Sequence, residues 1–212
     1  RDVLLVLVSY LPFQGKDFEL KTKPTQYAVR TLNSAGLQPD LVIARASVPL
    51  DKRRKEKIAV NCGLRDDEVI SAPDVESIYE VPLNFEGENL SEVVLRKLGV
   101  NARTRDMREW EQLVRRIKSA TDTVKIAIVG KYFGTGDFML ADSYISVIEA
   151  IKHAAAAVRR RAEITWVNAG DFDPTTDRRW RANLKKLDGY HGIIVPGGFG
   201  SRGVEGKIHA IC

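Results

Sequence analysis

Short runs of aliphatic residues, each followed by a polar loop and a helical stretch, narrow most sharply what this chain can fold into. Val3 to Val8 is the first, an unbroken run of valine and leucine that reads as a strand buried on both faces. Asp40 to Ala44, Val69-Ile70, Lys125 to Val129, Glu163 to Val167 and His191 to Val195 repeat the theme. Pro24 and Thr25 open a helix that runs through Leu32 and closes near Gly36. Asp51 to Val60 forms the next, and Ser91 caps another from Glu92 to Leu98, stopped by Gly99. From Asp106 to Ser119, Met107, Trp110, Leu113, Val114 and Ile117 share one helical face. Asp142 to Ala157, Arg179 to Leu187 and a stretch from about Glu205 supply further helices. Repeated β-α-β units predict an α/β chain of two doubly wound, mostly parallel-sheet domains, both truncated. The expected divisions are residues 1–105, an interdomain helix and linker over 106–122, and residues 123–212.

Composition excludes several classes of function. The longest apolar run falls far short of the roughly 20 residues that span a bilayer. No signal-peptide pattern surrounds it, so no membrane partner is expected. Two cysteines, Cys62 and Cys212, make neither a disulfide framework nor a metal-ligand spacing, which suits a reducing, cytoplasmic setting. The net charge of +5 suits polyanionic ligands such as nucleoside triphosphates but is too mild and dispersed to predict nucleic-acid binding. The basic clusters Lys52 to Lys55 and Arg159 to Arg161 read as mainly solvated surface. The chain begins with Arg and ends on Cys212 within a helical pattern, as a piece of a longer protein would.

Two segments carry chemistry. Lys21-Thr22-Lys23-Pro24-Thr25-Gln26 sets two ammonium groups just before a helix N-terminus, where backbone N–H groups and the helix dipole favour anions. Thr22, Thr25 and Gln26 add neutral hydrogen-bonding groups; an ordinary capped, charged loop would also fit. Pro196-Gly197-Gly198-Phe199-Gly200-Ser201-Arg202-Gly203 follows a buried strand, at the sheet edge where α/β folds bind ligands. Its glycines let the backbone approach a ligand and present N–H groups to an oxyanion; a tight strand-to-helix connection fits equally. Gly130-Lys131-Tyr132 lacks the upstream glycine and the Ser/Thr of a phosphate loop. Cys212 continues a helix rather than sitting at a nucleophile elbow, so it reads as buried packing. His153, His191 and His209 have no metal spacing and read as packing or surface.

Taken together, these residues closely resemble CTP synthases. The resemblance rests on Leu20 to Gln26 with Gly36 to Asp40, Ala72 to Pro82, Val129 to Tyr132, Asp142 to Ala150 and Pro196 to Ile208, in that order. It implies the C-terminal part of an amidoligase domain joined to the N-terminal part of a class I glutamine amidotransferase domain. Such a ligase phosphorylates the uracil 4-oxygen of UTP with ATP, and ammonia released from glutamine then displaces the phosphate. The resemblance assigns Lys21, Thr22, Lys23, Pro24, Thr25, Gln26 and Lys57 to UTP or the inhibitor CTP. It assigns Arg45 and the backbone at Pro73, Asp74 and Val75 to ATP. Gly198 corresponds to the oxyanion-hole glycine that binds glutamine, and Phe199 and Arg202 to positions linked to the activator GTP. Lys131 and Tyr132 fall near an interdomain ammonia path. A homotetramer is implied, with the UTP site shared between subunits.

Some positions depart from the family pattern. Tyr27 stands where many members have His, Ile145 where some have Lys, and Phe133 to Ala141 is longer than usual, as in archaeal-type members. The resemblance also places the phosphate loop and Mg²⁺ carboxylates before Arg1, and the catalytic Cys, His and Glu beyond Cys212. The chain alone is therefore expected to be inactive. Another glutamine amidotransferase-linked synthetase, or a non-catalytic nucleotide-binding or assembly module, remains open on the residues themselves.

Overall fold

A strand followed by a helix that carries the chain back across the sheet can only pair in parallel with the next strand, and that rule builds both halves. The computed structural model describes residues 2–14, 19–131, 134–135, 138–139, 144–198 and 200–212. Tyr132, Phe199 and most of the stretch from Phe133 to Ala141 lie outside them, as do Asp142 and Ser143 at the start of one expected helix. The chain divides into two compact units, 1–114 and 115–212.

In the first unit, β1 (Val6–Tyr10) leads into a short antiparallel hairpin, β2 (Phe13–Gln14) and β3 (Glu19–Leu20). There follow α1 (Lys23–Ser34), β4 (Leu41–Ala46), α2 (Lys52–Cys62), β5 (Val69–Pro73), α3 (Val81–Gly87) and α4 (Leu90–Leu98). The sheet order is β1-β4-β5, all parallel. Val42 faces Leu7 on one side and Val69 on the other, and both neighbours of Arg45, Tyr10 and Ala72, lie in register with it. Val42, Ala44 and Val69 are fully buried with Val29 of α1 and Ile58 of α2.

Four expectations need correction, the fourth at Cys212 below. The first strand is not buried on both faces: Val8 is 61% and Tyr10 57% exposed. β1 stands at the edge of the sheet, and only the face carrying Leu7 and Ser9 packs inward. Asn89, in the left-handed region at φ 58, caps α4. Ser91 instead lies inside that helix and donates to Glu86. The expected Arg179–Leu187 helix is shorter and changes type, as described below.

Helix α5 (Arg108–Ser119) carries Trp110, whose indole Nε1 donates to the Tyr79 carbonyl at 2.7 Å. In the second unit β6 (Thr123–Gly130) is central; β7 (Gly134–Thr135) and β8 (Phe138–Met139) pair antiparallel. Then come α6 (Ile145–Ala157), β9 (Arg161–Asn168), α7 (Trp180–Leu184), β10 (Gly192–Ile194) and α8 (Val204–Ile211). The order β10-β6-β9 is again all parallel, with Gly130 opposite Asn168. α7 gives way to a 3-10 turn over Lys185–Gly189, which buries Leu187. Cys212, expected to be buried, is exposed at the end of α8. The residue of α8 that packs inward is Gly206. His191 accepts the Lys125 N–H through Nδ1 at 2.9 Å, tying β10 to β6, and His209 stacks on Trp180. Among the described residues no helix is long and apolar enough to cross a membrane.

The approach of α8 to the turn after β9 (Ala169–Phe172) requires glycine at 206, because a Cβ there would stand 1.6 Å from the Ala169 carbonyl oxygen. Gly206→Ala is expected to cost about 3 kcal/mol by forcing α8 outward. Gly87→Ala, where a Cβ meets nothing within 4 Å, is expected to be neutral or stabilising by about 0.5 kcal/mol. Chemical denaturation of the two variants decides.

Candidate functional site

The anion-favouring segment opens α1 beside the start of α2, and the two helix starts border a cavity of about 450 Å³. Lys21, Thr22, Lys23 and Lys57, all singled out in the sequence, line it together with Glu19, Asp51, Arg53 and Arg54. Pro24, Thr25 and Gln26 do not. Thr25 is fully buried and shares a 2.8 Å hydrogen bond with Ser9 of β1. Gln26 donates to the Thr22 hydroxyl at 3.2 Å. These side chains fasten α1 to the sheet and hold Lys21 to Lys23 at the rim.

Carboxylates temper the cluster. Lys21 donates to Glu19 at 2.5 Å, and that bond, with the charges of Lys21, Arg54 and Lys57, holds the Glu19 carboxyl below its usual range. Asp51 caps α2 by accepting the Arg54 N–H at 2.8 Å and also pairs with the Arg54 guanidinium. The backbone N–H bond leads in lowering its carboxyl. Arg54 Nε reaches the Leu20 carbonyl at 3.5 Å, linking α2 to the hairpin.

The cluster Lys52 to Lys55, read as solvated, divides by helical position. Arg53 and Arg54 line the cavity, Lys55 pairs with Glu88, and Lys52 points to solvent at 89% exposure. The signal was present in the spacing: Arg53 and Lys57 lie four residues apart and so share a face.

The other positions of this unit lie at the carboxyl ends of β4 and β5. Arg45 pairs with Asp74 at 2.7 Å, and the Asp74 N–H donates to the Ala46 carbonyl at 2.9 Å. The backbone from Pro73 to Val75 is thus anchored where the strands end. Neither Arg45 nor these residues border the cavity of the lysine segment.

In the second unit the glycine-rich turn leaves β10 and enters α8 at Gly203, in the left-handed region at φ 71. Two ammonium groups hold carbonyls along it: Lys207 donates to Pro196 at 2.5 Å and Lys131 to Gly200 at 2.6 Å. Burial, followed by the charge of Lys131, lowers the affinity of Lys207 for its proton. Gly198 is exposed on the turn, and Phe199 lies outside the described residues. Arg202 and Lys131 line a cavity of about 420 Å³ with Asn168, Asp171, Asp177 and Arg179. Lys207 escaped the sequence reading because its partner is a carbonyl eleven residues away, set by tertiary packing.

Comparison with known proteins agrees in both units. The family described as CTP synthase N-terminus matches residues 1–100, and that described as glutamine amidotransferase class-I matches residues 139–212. A CTP synthase of Thermococcus kodakarensis is 45% identical over 210 residues, covering 99% of this chain and 37% of the relative. Those of Symbiobacterium thermophilum and Pyrococcus abyssi are each 44% identical, over 99% of this chain and 38% and 37% of their own lengths. The chain thus spans little more than a third of the curated relatives it matches.

Asp51 is the joint that fixes Arg54 and the start of α2. Asp51→Ala is expected to cost about 1 kcal/mol at neutral pH, and Asp51→Asn, which keeps a cap acceptor, less. Because the folded carboxyl is depressed, its contribution is complete above the unfolded carboxylate range. It is lost as pH falls through the folded value, so wild type and Asp51→Ala should converge in acid. Denaturant titrations at neutral and acid pH check this.

Proposed function

Because the chain belongs to the CTP synthase family, we propose that it serves an enzyme that makes CTP from UTP, ATP and glutamine. Support comes above all from the match along 99% of the chain at 45% identity. The two matched families follow each other in the order such a ligase requires. In this reading residues 1–105 are the C-terminal part of the amidoligase domain, 106–122 the connection, and 123–212 the start of the glutaminase domain.

The roles follow from where the groups stand. Lys21, Lys23 and Lys57, at the rim of the first cavity, meet the triphosphate of UTP or of the inhibitor CTP. Thr22 to Gln26 hold that rim. Arg45 and the anchored backbone of Pro73 to Val75 meet ATP. The γ-phosphoryl group of ATP passes to the uracil 4-oxygen; ammonia then adds at C4 and phosphate leaves with that oxygen. Gly198 donates a backbone N–H to the oxyanion formed when the glutamine amide is attacked, and Lys131 and Lys207 keep its turn in shape. Phe199 and Arg202 answer to GTP. A homotetramer in the cytoplasm, with the UTP site shared between subunits, completes the reading. Such a ligase uses Mg²⁺ with ATP. Among the described residues no three His, Cys, Asp or Glu converge to hold a metal, so no metal role is given to these side chains.

Full-length protein supplied with UTP, ATP, Mg²⁺ and glutamine is expected to form CTP; no CTP under these conditions would refute the reading. Lys57→Gln is expected to raise KM for UTP about tenfold, the loss of one charge-assisted contact. The 212-residue chain alone is expected to release no glutamate from glutamine, because Cys212 follows α8 rather than sitting at a strand-to-helix elbow.

A further inference from the structure

The cations around the first cavity are of two kinds. Lys21 and Arg54 are committed, to Glu19 and Asp51 respectively. Among the described residues these are also the only carboxylates lining the cavity. Among the described residues no side-chain hydrogen bond or ion pair engages Lys23, Arg53 or Lys57. Arg53 and Lys57 stand four residues apart on α2, where like charges repel and weaken the helix. That repulsion gains nothing for the fold, since both side chains are exposed. An anion in the cavity would relieve it.

From this division we propose that Arg53 is a further triphosphate-binding, specificity-determining residue of the site, acting with Lys23 and Lys57. Lys21 and Arg54 are the positioning cations that hold the rim. The inference rests on the reading of this cavity as a nucleotide site. Three uncommitted cations suit a triphosphate over a mono- or diphosphate, because each phosphate removed leaves one cation without a partner. A guanidinium adds a planar, two-pronged contact that a lysine cannot reproduce. Lys52, next along the helix, faces away toward Glu56 at 3.8 Å and takes no part.

The test uses full-length wild type, Arg53→Gln, Arg53→Lys and the control Lys52→Gln. Arg53→Gln is expected to raise KM for UTP about fivefold, with kcat changed less than twofold. Arg53→Lys should restore part of the loss and Lys52→Gln should behave as wild type. Calorimetric binding of inorganic tripolyphosphate, over a series of salt concentrations, gives a readout independent of turnover. Arg53→Gln should bind it about fivefold more weakly with a shallower salt dependence, and should lose less affinity for pyrophosphate. If Arg53→Gln binds tripolyphosphate as wild type does, or if Lys52→Gln is equally impaired, the inference is overturned. If wild type makes no CTP, the functional reading fails instead, and the tripolyphosphate measurement still decides the role of Arg53.

Discussion

Parallel strand pairing is the constraint on which both units depend. A parallel ladder sends every strand in the same direction, so the connections to the following helices gather at the carboxyl ends. Arg45 and Pro73 sit at the ends of β4 and β5, and Lys131 and Asn168 just at or beyond those of β6 and β9. Gly198 follows β10, and Lys21 and Thr22 lead from the β2–β3 hairpin into α1, which opens at Lys23. Each candidate contact is thus a product of topology before it is a product of side-chain chemistry. The buried strand interiors, Val42 and Ala44 in one sheet and Ala127 and Val129 in the other, supply the rigid base. Displacing either sheet would scatter its contacts.

Within that frame, most polar groups of the first site serve the protein rather than a ligand. Thr25 is spent on Ser9, Gln26 on Thr22, Lys21 on Glu19 and Arg54 on Asp51. What remains for an anion is a small set of exposed cations on α1 and α2. Satisfied internal bonds keep the rim in one conformation, so that binding need not order it. The second unit works the same way, with Lys131 and Lys207 holding carbonyls of the glycine-rich turn.

How much of this was legible in the sequence depends on range. Strands and helices set by local pattern were read nearly to their ends: α1, α2 and β6. The lysine segment was found because its residues are contiguous. Burial of the first strand was misread, because an aliphatic run does not tell whether a strand is central or, like β1, at an edge. Asn89 was passed over as a cap in favour of Ser91, because a left-handed cap leaves no side-chain signature. Arg53 hid within a charge run whose members face in different directions. Lys207 has no local signal at all, since only the fold brings it to Pro196.

In the proposed function the two units serve one reaction, nitrogen transfer from glutamine to the pyrimidine ring of UTP. Full-length protein incubated with UTP, ATP and glutamine labelled with ¹⁵N at the amide tests it most directly, with the CTP formed read by mass and by NMR. The predicted result is CTP carrying the label at its 4-amino group, one label for each glutamate released. Glutamate release without labelled CTP would contradict it.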